Sequence, residues 1–429
     1  MKPAAHASAA IEILTDLEAK KRPVADALKD WGLTHRFAGS KDRAQIASLI
    51  YDVLRKRSSL GFRMGAETPR ALVLGALAFT RGISADDLAA QFADSPHAPD
   101  ALSDAERKAL NSSTLEGAPA FVRGDYPQWL DAHLQRIFGE DRADEGAALS
   151  ERAPLDLRVN LLKGTREEAL AELSHLHPEP TPHSPLGIRI PLLADGRGPP
   201  VQSEPAFLKG LVEVQDEGSQ IASLIAQAKP GEQVIDLCAG GGGKTLALSA
   251  GMENKGQIFA HDRDLRRLAP LHERAERAGV RNLQIRSPRG KEDVLKDLEG
   301  KADLVLVDAP CTGAGTWRRN PDAKWRMRPG SLEIRQKEQD AVLGDAARLV
   351  KPGGRLVYIT CSLLAEENED RLQAFRAAHP GFRPVPIREA LSAAGLGALD
   401  PYANADGSGL LLTPRRSGTD GFFVAVLRQ

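Results

Sequence analysis

The residues of this sequence that could do chemistry lie in its second half. Asp236 to Thr245 reads DLCAGGGGKT, directly after the apolar run EQVI. A glycine run ending in Lys-Thr can wrap phosphates, or it can admit another cofactor whose adenosine lies beside a sheet. A phosphate-binding loop needs a glycine five residues before its last one, and counting back from Gly243 reaches Cys238. The run ADLVLVDAP could still pass for the acidic metal-binding strand of a nucleoside triphosphatase, so that alternative stays open. An adenosine-type cofactor fits better. In an open sheet a glycine turn after the first strand lets the backbone approach the ligand. An acidic residue about 20 positions on, ending the second strand, then bonds the ribose hydroxyls. Asp262, at the end of GQIFAHD, stands at that place.

Only three cysteines are present, Cys238, Cys311 and Cys361. They are too few for a disulfide framework and lack the paired spacing of a zinc site. Cys311 follows an apolar run in VDAPCTG, beside Asp308, and Cys361 follows another in YITCS. Ligands gather at the carboxyl ends of strands in an open sheet. Neighbouring strands lie about 4.8 Å apart, so thiols at two such ends would face one crevice. A lone cysteine is usually a small buried hydrophobe, which suits Cys238. Two more at matching strand ends suit it poorly. A thiol beside an adenosine cofactor has a definite use: carbon 5 of a pyrimidine is a feeble nucleophile until a thiolate adds at carbon 6 and makes the ring an enamine. Carbon 5 can then attack the methyl of S-adenosylmethionine, lose its proton and expel the thiol, a step a second thiol could help.

The elements that must position these groups are legible in outline. The first 140 residues read as an all-helical bundle. In DRAQIASLIYDVLRKR the residues Ile46, Leu49, Ile50, Val53 and Leu54 fall on one face, and Thr68-Pro69 caps the helix that opens ALVLGALAF. Residues 141–211 read as a small α+β module, with LDLRVNLL a strand, Thr165 and Glu168 a capping box, and GIRIPLL a second strand. It could handle RNA or simply provide packing for the C-terminal domain. His175, His177 and His183 are close together there without ligand spacing, and no metal site is expected. From residue 212 to 429, strands and helices alternate as in a parallel, doubly wound sheet, closed by the strand GFFVAVLR. With 42% apolar and 27% charged residues and a net charge of −1, the chain has the balance of an ordinary soluble protein. It lacks the strong basicity of a nucleic-acid coat protein. No apolar run approaches the roughly 18 residues of a membrane span. The opening residues do not read as a signal peptide, and a cytoplasmic location is expected.

Taken together, VQDEGSQ, DLCAGGGGKT, DAPCTGAGTWRRNPDAKW, YITCS followed by EEN, and GTDGFF resemble the Sun-type RNA cytosine-C5 methyltransferases. The likeness is closest to the bacterial 16S rRNA branch, which carries a NusB-like helical domain at its N-terminus. The resemblance implies a Rossmann-like S-adenosylmethionine-dependent catalytic domain, with the helical half matched to NusB by layout and position. It makes Cys361 the nucleophile and Cys311 the thiol that assists release of the methylated base. Asp308 falls by the methyl donor and target base, Cys238, Ala239, Gly240, Gly241, Gly242, Gly243 and Lys244 on the cofactor loop, and Asp262 on the ribose. DNA cytosine-C5 methyltransferases use the earlier Pro-Cys as nucleophile, so Pro310-Cys311 competes on motif grounds; Cys361 is favoured.

Two departures from the family pattern stand out. Its loop usually reads Ala-Pro where this chain has Gly240 and Gly241, which predicts a looser turn. It usually has an aspartate just after the third strand, where this chain reads RSPRG around Ser287. On the substrate side, WRRNPDAKWRMR interleaves Arg318, Arg319, Lys324, Arg326 and Arg328 with Trp317 and Trp325. Cations that neutralise phosphate and aromatics that stack on bases make this the expected RNA contact, against a charged loop packed by its tryptophans. The target cytosine is expected single-stranded or flipped out, and the protein monomeric. The rival from another class is a catalytically weak RNA-binding or ribosome-assembly factor.

Overall fold

A computed structural model describes all residues of the chain except Ala194, Asp195, Arg289 and Lys291. The chain forms two compact units. One comprises Met1–Arg152 together with Trp317–Arg328; the other comprises Ala153–Thr316 and Pro329–Gln429.

The first unit is helical. Its helix Ser40–Arg55 buries Ile46, Leu49, Ile50, Val53 and Leu54, the face their spacing predicts. Thr68 Oγ1 accepts the Ala71 N–H at 3.3 Å, and Pro69 occupies the first helical position, where a missing N–H costs nothing. The apolar run beyond it is α-helical over Pro69–Gly75 and widens to a π turn over Ala76–Thr80. The division between units falls at Arg152 rather than near Glu140. The reason is packing: the helix Arg142–Ser150 lies against Ala120–Arg123 and Asp131–Phe138. Gly146 makes that packing possible, since a Cβ there would come within 2.6 Å of the Tyr126 ring.

The second unit holds two sheets. Twelve strands are described: β1 (Leu155–Val159), β2 (Glu179–Pro180), β3 (Gly187–Ile190), β4 (Val212–Val214), β5 (Gln233–Asp236), β6 (Gln257–Ala260), β7 (Leu283–Ile285), β8 (Ala302–Asp308), β9 (Val350–Thr360), β10 (Arg383–Val385), β11 (Leu410–Leu412) and β12 (Phe422–Arg428). The small sheet runs β2-β3-β1-β4 and is antiparallel. Its helix Arg166–Glu172 starts at the expected capping box, with Glu168 N–H on Thr165 Oγ1 at 3.2 Å and Thr165 N–H on Glu168 Oε2 at 2.8 Å. β4 belongs to this sheet, so the alternating pattern of the catalytic region begins after it rather than at Val212. Pairing Leu157 with Val214 and Val159 with Val212 places Val212 in the module's own core.

The large sheet runs β10-β12-β9-β8-β5-β6-β7, with β11 also on β12. β7, β6, β5, β8 and β9 are parallel, as the alternating pattern predicts. β10, β11 and β12 are antiparallel, which makes the sheet mixed. Residues 413–421 joining β11 to β12 number nine, fewer than the dozen or so a parallel crossover needs. The chain goes outward from β5 through β6 to β7, then returns to place β8 on the other side of β5. That reversal opens a crevice at the carboxyl ends of β5 and β8.

Candidate active site

β5 ends at Asp236 and the chain turns through the glycine run into the helix Gly243–Gly251. Gly240 has φ +51° and Gly242 φ +81°. A Cβ on Gly242 would lie 2.1 Å from Leu271 Cδ1, so only glycine passes there. The turn is closed by Gly242 N–H on Ala239 O, and Ala239 N–H bonds His261 O, both at 2.8 Å. Asp262 follows β6 and is nearly fully buried. Its Oδ2 accepts the Gly240 N–H at 3.0 Å and its Oδ1 the Asp264 N–H at 2.9 Å. One carboxylate thus ties the turn after β5 to the turn after β6, with the Arg267 guanidinium 3.3 Å away.

Behind the loop, Thr245 donates to Asp236 Oδ2 at 2.7 Å. Burial pushes the Asp236 carboxyl up to about 7. The Lys244 ammonium lies 2.6 Å from Asp308 Oδ2, at the end of β8, and 5.3 Å from the centroid of the Phe422 ring. This pair joins the glycine loop to the strand that carries Cys311.

β8 and β9 are parallel neighbours, with Asp308 opposite Ile359. The strand ends therefore bring Cys311 and Cys361 together, with their sulfurs 3.3 Å apart and both thiols free. The hydrogen bond to Cys361, then burial, pushes the Cys311 thiol well above its ordinary value. Either thiol can donate to the other across this contact. Cys238 is also raised, chiefly by burial, as befits a packed side chain.

The two thiol turns share a support that sequence reasoning did not assign, although EEN was noted among the family motifs. Glu367 is fully buried. It accepts the Thr312 N–H at 2.8 Å and the Thr312 and Ser362 hydroxyls at 2.5 Å each. Gln339 Nε2 bonds both Glu367 Oε1 at 3.0 Å and Pro310 O at 2.9 Å. Asn368 Oδ1 accepts the Thr360 hydroxyl, and its Nδ2 donates to Ser362 O. One carboxylate therefore fixes the residue after each cysteine.

These parts face one cleft of about 840 Å³, whose walls include Cys238, Asp262, Asp308, Cys311 and Cys361. It has room for an adenosine-type cofactor and a base. Leu237 and Cys238 at the start of the glycine turn, Asp262 and Asp308 line the cleft, so the residues present fit the expected cofactor. Of the RSPRG stretch, Arg289 lies outside the described residues. Glu292 and Asp293 line the cleft shortly after it, and sequence reasoning passed over both. Among the described residues no His, Cys, Asp and Glu cluster could hold a metal.

Two of the expected RNA contacts, Lys324 and Arg318, are corrected, while Arg326 and Arg328 are exposed. Lys324 is fully buried in the helical unit and Arg318 is buried with it. The Lys324 ammonium donates to Arg55 O at 2.8 Å and Ser150 Oγ at 2.9 Å. Trp325 packs on the helical core and donates to Leu54 O at 2.6 Å. Trp317 is 1% exposed. The tryptophans draw the segment inward, and the lysine between them is buried with them; Arg319 stays half-exposed.

Residues 223–428 match the family described as 16S rRNA methyltransferase RsmB/F, and residues 126–192 match the ferredoxin-like domain of RsmF/B-like methyltransferases. The chain is 34% identical over 329 residues to the probable ribosomal RNA small subunit methyltransferase B of Synechocystis sp., covering 76% of this chain and 71% of that protein. It is 29% identical to the Bacillus subtilis protein of the same description, covering 75% and 72%. It also resembles the crystal structure of PH0851, with a TM-score of 0.72 and 28% identity over 100% of this chain and 99% of that one. The chain belongs to the RsmB/F family of 16S rRNA methyltransferases and is an S-adenosylmethionine-dependent enzyme.

Proposed function

We propose that this enzyme methylates carbon 5 of a cytosine in 16S rRNA through a covalent adduct between Cys361 and carbon 6 of the base. The observation that carries the reading is the thiol pair: two free sulfurs 3.3 Å apart, at neighbouring strand ends, in the cleft that also holds Asp308. Attack of the Cys361 thiolate on carbon 6 makes carbon 5 nucleophilic. S-adenosylmethionine, when bound, supplies an electrophilic methyl group; the glycine loop and Asp262 are placed to hold its nucleoside. Water then takes the carbon 5 proton, the electrons of that C–H bond restore the 5,6 double bond, and the C6–S bond breaks to release Cys361 as a thiolate. The Cys311 thiol, raised above its ordinary value and 3.3 Å away, can donate to that leaving sulfur and lower the cost of its departure. Pro310-Cys311 as nucleophile is disfavoured because the neighbouring Cys361 sulfur and burial raise its thiol above the ordinary value.

The cleft also frames the substrate. A base must be single-stranded or flipped out to bring carbon 6 to a thiol on the cleft floor. The NusB-like reading of the helical unit, a monomeric state and a cytoplasmic location belong to the same proposal. No helix among the described residues is long and apolar enough to cross a membrane.

The test is transfer of radiolabelled methyl from S-adenosylmethionine to unmodified 16S rRNA and to small-subunit particles, with wild type, Cys361→Ala and Cys311→Ala side by side. Label at cytosine C5, loss of both label and adduct in Cys361→Ala, and a trapped protein–RNA adduct in Cys311→Ala are expected. An adduct that survives Cys361→Ala but needs Cys311 reverses the two roles. A folded wild type that binds the methyl donor and labels neither substrate leaves the RNA-binding factor as the function.

A further inference from the structure

Four consecutive glycines, Gly240 to Gly243, form the donor loop. Such a run loses more backbone entropy on ordering than any other, so something outside it must hold its shape. The loop carbonyls show what does. Gly241 O accepts Arg274 Nη1 at 2.6 Å, and Gly243 O accepts Arg158 Nη1 at 2.7 Å. Neither arginine lines the cleft.

Both guanidinium groups are anchored by the small sheet. Arg158 on β1 and Glu213 on β4 are register partners and are almost fully buried. Arg158 also donates to Gln215 Oε1 at 2.6 Å. Glu213 receives Arg274 Nη2 at 3.0 Å on one oxygen and Arg277 Nη2 at 2.6 Å on the other. The antiparallel pairing of β1 with β4 thus presents a guanidinium and a carboxylate side by side, each committed to the loop, directly or through Arg274.

We propose that Arg274, clamped by Glu213, is a positioning residue for the methyl-donor loop, and that the small α+β module acts with Arg158 as the brace of the donor site. Arg274 bridges two fixed points, a loop carbonyl and a buried carboxylate, with the planar fork that only arginine offers. Its removal leaves Glu213 paired with Arg277, so no buried charge is orphaned and the fold survives. What is lost is the restraint on Gly241.

The rescue rests on the same geometry. A Cβ on Gly241 would sit 3.2 Å from Arg274 Nη1, so Gly241→Ala conflicts with the brace while Arg274 is present. With Arg274→Ala the space is open, and alanine reduces the loop's freedom in the donor-free protein.

The experiment uses the full-length protein and S-adenosylhomocysteine as probe, by calorimetry, with amide hydrogen exchange of loop residues 239–246 in the ligand-free state. Arg274→Ala is expected to weaken S-adenosylhomocysteine about tenfold, the scale of a lost hydrogen bond to a charged group, and to speed loop exchange. KM for S-adenosylmethionine rises by a similar factor while kcat at saturation stays put. Arg274→Ala with Gly241→Ala recovers roughly two- to fivefold of the affinity. A merely structural role would lower thermal stability without moving the affinity or responding to Gly241→Ala. Unchanged affinity, weakened affinity without faster loop exchange, or failure of the double variant to recover affinity each overturns the proposal.

Discussion

Two lysines of similar burial, one in each unit, have opposite fates. Lys244 is 7% exposed, yet its ammonium reaches Asp308, which lines the cleft. Lys324 is 0% exposed, and its ammonium ends on a carbonyl and a hydroxyl inside the helical unit. Burial lowers Lys324 to about 7, with Asp125 opposing and Arg55 reinforcing the shift. A buried lysine without a direct anionic partner is pushed toward neutrality. Burial alone therefore does not separate a functional cation from a structural one. The partner does.

The largest effects should fall cleanly on either side of this division. Cys361→Ala is expected to reduce methyl transfer on the order of 10⁶-fold, the scale for removing a nucleophile, while leaving S-adenosylhomocysteine affinity and the melting of the helical unit as in wild type. Radiolabel incorporation and calorimetry on the same preparation check this. Trp317→Ala should do the converse. Trp317 is 1% exposed in the helical unit, and truncating so large a buried side chain costs about 3–5 kcal/mol. Two-unit unfolding need not be two-state, and only the transition raised by S-adenosylhomocysteine should stay in place. If Trp317→Ala lowers that transition instead, the segment supports the catalytic unit and the comparison between the units fails.

What the sequence disclosed depended on how local each signal was. The parallel strands, the capping box, Asp262 at a strand end and the converging cysteines rest on short-range periodicity and on the rule that sites form at strand ends. The structure bears these out in its distances. Three things were not legible. β4 sits in the small sheet because it pairs with β1, more than 50 residues away in the chain, and no local pattern records a partner. The brace of Arg158, Glu213 and Arg274 likewise joins three separate elements. The burial of Arg318 and Lys324 in WRRNPDAKWRMR was not legible because alternating cations and tryptophans look alike whether the rings face solvent or a core. Trp325 finds Leu54 and the helical core, and that long-range contact decides. Glu367 was the readable miss: a Glu-Glu-Asn after a thiol turn offers an acid within reach of backbone donors, and the fold uses it.

A smaller effect sharpens the comparison through pH. The folded Lys324 titrates near 7 and the unfolded side chain at its ordinary 10.5. Between those values the unfolded state holds the extra proton, so stability of the helical unit rises with pH across this window, by at most about 1.4 kcal/mol per unit. Below pH 7 both states are protonated and this contribution is flat. Lys324→Met removes the rise. Denaturation followed by the tryptophan signal at pH 7, 8 and 9 measures it; a wild type with no greater slope than Lys324→Met would mean the lysine stays charged in the fold.

The smallest expected effect is none, and it separates the two lysines most directly. A lysine that neutralises a phosphate contributes about 0.7 to the slope of log affinity against log salt on a single strand. Lys324→Met should therefore leave that slope for 16S rRNA unchanged, because the buried ammonium releases no counterion on binding. Arg319→Gln, on the half-exposed neighbour, tests whether the segment meets RNA at all, and a fall of about 0.7 in slope would assign it a phosphate contact. Filter binding between about 50 and 200 mM salt resolves the difference. A lowered slope for Lys324→Met, in a variant that still melts cooperatively, would mean that RNA draws the segment out of the helical unit. Trp317 and Trp325 would then trade a packed core for the bases they face.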